Sequence, residues 1–147
     1  MTLKAQISED MKSAMRAKES TRLGTIRLLQ AAMKQREVDE RIELVDADVI
    51  GIIEKMLKQR RDSIAAYESA KRDDLADIEK AEVVVLQAYL PKQLTEAEVA
   101  VLLEKVVADT GAASMKDMGK VMAAIKPLVA GKADMGKISG LIKARLA

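Results

Sequence analysis

Apolar residues recur every three or four positions along most of this chain, which is the spacing of one face of an α-helix. Leu3, Ile7 and Met11 show this spacing at the start of the sequence. It predicts a first helix over residues 3–17, with Thr2 as the capping residue before it. No stretch has the strict alternation of apolar and polar residues that predicts a β-strand.

Three further helices are predicted before residue 91. The second runs over about 21–41, after a polar break. Asp46 is predicted to cap a long third helix, and the fourth runs over about 74–89. Four cations in seven residues, within 55–61, either form an anion-binding surface or lie on an exposed helix face, and the spacing favours the exposed face.

Two positions in these helices raise specific questions. Gly51 lies in a helix interior, where glycine costs about 1 kcal/mol relative to alanine, and a close helix crossing would explain it. Glu79 and Glu82 lie three apart on the fourth helix, whose predicted buried face includes Ile78. A carboxylate pair invites a catalytic or metal-binding interpretation, but such pairs on helices are usually exposed, and no other residue completes a site.

Pro91 ends the fourth helix, because proline disfavours helical geometry at the residue before it. Residues 90–94 are therefore predicted to join two domains, 1–91 and 92–147. Thr95 and a glutamate three residues later form a capping box at the start of the next helix.

The C-terminal part is predicted to contain three short helices. Gly111 ends the fifth helix, and Ser114 caps the sixth. Pro127 is predicted to stop the sixth helix, and Asp134 to cap the seventh. The predicted fold class is all-α, with about four helices in N-terminal hairpins and a small three-helix C-terminal domain.

Composition excludes several kinds of site. The 147 residues include no His and no Cys, which removes disulfides, thiol nucleophiles and most zinc sites. The nine Met residues are more typical of core packing than of a metal site. No metal, cofactor or catalytic residue is predicted. The start of the chain does not resemble a signal peptide, and no apolar run is long enough for a membrane span, so we expect a cytoplasmic protein.

Charge is unevenly distributed. The net charge is +2, yet from Gly111 onward seven Lys and Arg face two Asp. Such a basic end suggests an anionic partner, although a solvated lysine-rich helix face would give the same count.

Several motifs, taken in order, resemble the YqeY-like family over essentially the whole chain. The matching segments are Lys58–Ile64, Arg72–Ala76, Tyr89–Pro91, Met118–Met122 and Gly131–Asp134. The last two are also similar to the tail domain of the B subunit of tRNA-dependent glutamine amidotransferases, around Gly119, Val121–Met122 and Gly131–Ala133. Met135–Gly136 departs from the pattern and leaves the start of the last helix uncertain.

The resemblance implies an all-helical protein whose C-terminal domain helps to hold tRNA. Family naming also attaches carbon–nitrogen ligase activity, with glutamine as amido-N-donor. Together with the charge, it predicts phosphate contacts from five lysines: Lys116, Lys120, Lys132, Lys137 and Lys143. Gly119, Gly131 and Asp134 would form the backbone frame of this surface, the glycines serving either close approach of a ligand or packing and turn geometry.

Two other functions remain open. A protein–protein adaptor that docks an amidotransferase or another translation-related partner is the main alternative to a non-catalytic tRNA- or RNA-binding protein. An enzyme using Glu79, Glu82 or Lys58 in a cleft ranks last, because no set of residues supplies a nucleophile, a base and a charge stabiliser together.

Overall fold

The protein is all-α, which confirms the predicted fold class. The computed structural model describes residues 1–147 and contains no strand. Its elements are α1 (Leu3–Arg16), α2 (Ser20–Glu40), α3 (Asp46–Ser69), α4 (Asp73–Gln87), α5 (Glu96–Thr110), a 3₁₀ turn (Met115–Asp117), α6 (Met118–Val129) and α7 (Met135–Leu146). None of these helices has the length and apolarity needed to cross a membrane.

Contacts group the chain into two compact units, which we call unit 1 (Met1–Leu90) and unit 2 (Pro91–Ala147). Each unit has its own cluster of buried apolar side chains. Whether the two units fold as independent domains stays a prediction.

Unit 1 packs α1 to α4 around a core that includes the fully buried Ile7, Ile26, Leu29, Ile53 and Leu86. The apolar spacing read from the sequence therefore identifies the packed face of α1, where Ile7 is fully buried. These aliphatic side chains supply most of the folding free energy through the apolar surface that they remove from water.

The predicted orientation of α4 is wrong at Ile78, whereas Leu86 and Tyr89 are buried as predicted. Ile78 was expected in the core but is 58% exposed, and Val84 is 69% exposed. The residues of α4 that are fully buried are Ala76 and Leu86. The helix therefore turns Leu86 to the core and leaves Ile78 and Val84 on its outward side.

The predicted role of Asp46 as the cap of α3 is also wrong. Its carboxylate accepts a hydrogen bond from the N–H of Leu3 at 2.9 Å, and so satisfies a free donor in the first turn of α1. The cap of α3 comes from Asp48, whose carboxylate accepts from the N–H of Val45 at 3.1 Å. Asp46 therefore links two helix starts that are 43 positions apart in the sequence.

No close helix crossing occurs at Gly51. A Cβ atom added there would find the guanidinium nitrogen Nη1 of Arg36 as its nearest neighbour, 4.0 Å away. Gly51 is exposed, so the predicted close helix crossing at this position is wrong.

In unit 2, α5, α6 and α7 pack around Val121, Ile125 and Ile142, which are fully buried. Pro127 does not stop α6, contrary to prediction, because the helix continues to Val129. A proline in the last turn removes only one backbone hydrogen bond, and the complete burial of Val129 favours the helical conformation beyond it.

Candidate nucleic-acid interface

The turn between α6 and α7 is held in place by the segment that begins unit 2. Gly131 is buried and has a φ of +71°, a left-handed conformation that favours glycine. Its carbonyl accepts a 2.7 Å hydrogen bond from the side-chain amide of Gln93. The N–H of Leu94 donates to the carbonyl of Lys132 at 2.8 Å. Turn geometry therefore accounts for Gly131, and the same turn exposes the side chain of Lys132.

The last helix begins where Asp134 was predicted to cap it. The Asp134 carboxylate accepts from the N–H of Gly136 at 2.9 Å, which confirms the cap. A helix begins at Met135, so the departure from the family pattern at 135–136 does not disturb it.

Asp117 organises the opposite end of the α6–α7 hairpin. Its carboxylate accepts from the N–H of Ala113 at 2.9 Å and of Ser114 at 3.4 Å. These backbone hydrogen bonds, with a smaller contribution from the charge of Lys120, hold the pKa of the Asp117 carboxyl below its usual range. The carboxylate thus fixes the 3₁₀ turn that carries Lys116.

The five predicted lysines are all exposed and lie in two groups. Because α6 and α7 are joined by a short turn and pack against each other, they run antiparallel. One end of this hairpin therefore carries Lys116, Lys120 and Lys143, and the other carries Lys132 and Lys137. The twelve residues of α6 separate the ends by about 18 Å.

None of the five lysines makes a close ion pair with a carboxylate, although the charge of Lys120 acts on Asp117. Arg145 of α7 differs from them, since its guanidinium contacts the Glu104 carboxylate of α5 at 2.6 Å. Two groups of ammonium ions thus remain available to an external anion.

Gly119 lies in the first turn of α6 on an exposed surface. No atom lies within 4 Å of the position that its Cβ would occupy. Helix packing therefore does not explain this glycine, and close approach of a ligand stays a prediction.

The carboxylate pair on α4 is not solvent-facing, contrary to expectation. Glu82 contacts Arg60 of α3 at 2.9 Å, and only 17% and 14% of their side chains are exposed. The Nε of Arg60 and one carboxylate oxygen of Glu79 are buried without a hydrogen-bond partner. No group of three or more potential ligands is arranged to hold a metal ion. The ion pair of Arg60 with Glu82 joins α3 to α4. The sequence alone did not show which cation would face Glu82.

A second polar cluster, which sequence reasoning missed, joins α1 and α2 to the residues after α4. The hydroxyl of Tyr89 donates to the Asp10 carboxylate at 2.6 Å, and Arg22 lies 3.8 Å from the same carboxylate. Burial, reinforced by the hydrogen bond to Asp10, raises the pKa of Tyr89. The only sequence signal for this cluster was Tyr89, an isolated tyrosine two residues before Pro91.

Fold and surface together define a class: a small all-helical protein with two helical units, the second of which presents exposed lysines. The profile of the Yqey-like protein family matches residues 4–146. The chain belongs to this family.

Curated relatives of the chain are fungal proteins named "Altered inheritance of mitochondria protein 41, mitochondrial". The one from Eremothecium gossypii is 39% identical over 87 residues, which are 58% of this chain and 48% of that protein. The one from Pyrenophora tritici-repentis is 32% identical over 126 residues, 82% of this chain and 70% of that protein. The chain spans about half the length of the first of these relatives.

Proposed function

We propose that unit 2 binds structured RNA, with tRNA as the preferred class, through phosphate contacts from its lysines and without catalysis by this chain. The observation that carries the proposal is that five exposed lysines lie at the two ends of the α6–α7 hairpin, and only Lys120 has a charge interaction with a carboxylate, that of Asp117. Ammonium groups contact phosphates as point charges and do not read bases.

Two further features support this assignment. The lysine groups stand about 18 Å apart, so together they span more than one phosphate of a folded RNA. The chain has no Trp or Phe, which disfavours stacking on unpaired bases and favours recognition of shape and backbone.

Filter binding of tRNA at several salt concentrations tests the proposal. We expect micromolar or tighter binding at low salt, and a binding constant that falls as salt rises, by on the order of one log unit per log unit of salt for each phosphate contact. Failure to bind at low salt would refute the proposal.

A charge-matched pair of variants locates the contacts. Lys116→Glu combined with Lys120→Glu should weaken tRNA binding and flatten its salt dependence. Lys34→Glu combined with Lys58→Glu changes the net charge equally, at exposed lysines of unit 1. An equal loss of tRNA affinity in both double variants would show that only the net charge of the chain governs binding.

The competing proposal is a protein–protein adaptor, and a groove on unit 2 favours it. An open cavity of about 400 Å³ is lined by Leu94, Ala97, Glu98, Val101 and Leu102, and Val101 is 70% exposed. Under this proposal, a purified amidotransferase would be retained by the chain after nuclease treatment, and Val101→Lys would abolish retention. Under the RNA proposal, nuclease treatment would release it.

Ligase activity by this chain itself would need catalytic residues, for which Glu79, Glu82 and Lys58 are the candidates. The Glu82 carboxylate is engaged by Arg60 and Lys58 is exposed, which supports a non-catalytic role for this chain. Incubation of the purified chain with glutamine, ATP and misacylated tRNA should release no glutamate, and release above background would overturn this part of the proposal.

A further inference from the structure

The outward face of α4 is apolar along most of its length. The exposed positions Ile78, Ala81, Val84 and Ala88 fall on one side of the helix at 100° per residue. Ile78 is 58% exposed and Val84 is 69% exposed. We call these four residues the α4 stripe. A contiguous row of exposed aliphatic side chains is typical of an interaction surface.

A cavity of about 280 Å³ lies at the C-terminal end of the stripe. Val84, Val85 and Ala88 line it on α4, and Arg22 is among the residues from α1 and α2 that close it. The side chain of Ile78 protrudes from the same face, ten positions from Ala88, which is about 15 Å along the helix. One face therefore carries both a protruding branched side chain and a cavity large enough to receive one.

We infer that the α4 stripe is a self-association surface that pairs with a second copy of this chain in an antiparallel arrangement. A two-fold axis close to Val83 sets Ile78 of each copy opposite Ala88 of the other. The Ile78 side chain then enters the cavity of the second copy, and the same contact forms twice. Such self-complementarity is the requirement for an isologous dimer.

Charges at the two ends of the stripe agree with this register. Asp77 lies exposed at the N-terminal end, where its charge also acts on Lys80 of the same helix. Arg22 lies at the cavity, where its contacts with Glu19 and Asp10 are long, at 3.4 and 3.8 Å. Antiparallel pairing brings Asp77 of each copy towards Arg22 of the other, whereas a parallel arrangement places like charges together.

Sedimentation equilibrium of the full chain over a wide concentration range tests the inference. We expect a reversible dimer whose dissociation constant rises about tenfold or more in Ile78→Ala, because an aliphatic side chain leaves a buried contact. Leu28→Ala on α2 is the matched control, since Leu28 is 52% exposed, and it should leave the constant unchanged. Both residues are exposed, so both variants should fold.

Cysteine cross-linking tests the geometry directly, because the chain contains no cysteine. Val84→Cys lies next to the two-fold axis and should give a disulfide-linked dimer on mild oxidation. Val38→Cys on α2, at a valine that is 63% exposed, should remain largely monomeric. A chain that is monomeric at every concentration overturns the inference. So does a dimer that is insensitive to Ile78→Ala, or equal cross-linking of the two cysteine variants.

Discussion

The hydroxyl of Tyr89 donates a 2.6 Å hydrogen bond to the carboxylate of Asp10, a residue 79 positions earlier in the chain. Tyr89 is only 8% exposed and is the last buried residue before Pro91. This bond ties the end of the α4 segment to α1. It therefore fixes the point at which the chain leaves unit 1.

Tyr89→Phe should lower the free energy of unfolding by about 1–2 kcal/mol at neutral pH, because it removes a buried hydrogen bond and leaves the Asp10 carboxylate short of a donor. Tyr67→Phe is the control, since the Tyr67 hydroxyl makes no hydrogen bond within the protein, and it should cost little. Urea unfolding of both variants measures the difference. Equal effects would argue against a specific role for the Asp10 contact.

The same bond predicts a dependence on alkaline pH. The folded state raises the pKa of Tyr89, so the stability it contributes is fully present below the unfolded pKa of about 10. It should be lost as pH rises beyond that value, because only the unfolded state ionises easily. The stability difference between the wild type and Tyr89→Phe should therefore shrink above pH ~10 in urea unfolding experiments.

The Asp117 carboxyl predicts a loss of stability at acidic pH, whereas Tyr89 predicts a loss at alkaline pH. Its pKa is lowered in the folded state, so its contribution is present above the unfolded value of about 4 and is lost as pH falls through the folded one. Asp117→Asn should lower the melting temperature at pH 7, and this difference should disappear at the most acidic pH tested. Asp109→Asn, at an exposed aspartate of the same unit, is the control for removal of a carboxylate charge.

Two Arg–Glu pairs differ mainly in burial and should respond differently to the same change. Glu82→Gln leaves the mostly buried Arg60 without its counter-charge, and should lower the free energy of unfolding by about 1–3 kcal/mol. Glu104→Gln breaks the exposed pair with Arg145 and should change stability little. Chemical denaturation of both variants makes the comparison, and similar losses would contradict the importance of burial.

Two glycines of the candidate interface should respond oppositely to alanine. Gly131→Ala forces a Cβ into a left-handed conformation and should cost about 1 kcal/mol. Gly119→Ala meets no neighbour and should be neutral or should stabilise by up to about 1 kcal/mol. If RNA approaches the backbone at Gly119, the stabilised variant should nevertheless bind tRNA more weakly; unchanged binding would exclude close approach there.

Local hydrogen bonds and backbone geometry explain why most helix positions and helix ends could be predicted from the sequence. Thr2 accepts from the N–H of Ala5 at 3.1 Å, Thr95 accepts from Glu98 at 3.1 Å, and Gly111 ends α5 at a φ of +66°, all as predicted. These contacts join residues a few positions apart, so sequence spacing is sufficient to specify them. Pro127 departs from its local prediction, because the burial of Val129 outweighs the one backbone hydrogen bond that the proline removes.

The sequence by itself determined the seven helices, most of their caps and the excess of lysine near the C-terminus, because these depend on local periodicity and counting. Only the tertiary structure decided which side of α4 is buried, which N–H donates to the Asp46 carboxylate, and how Glu82 is neutralised. Each of those outcomes depends on a partner from a distant helix: α3 for Glu82, α1 for Asp46. A single-helix pattern contains no information about that partner, so it could not separate the packed face of α4 from the α4 stripe.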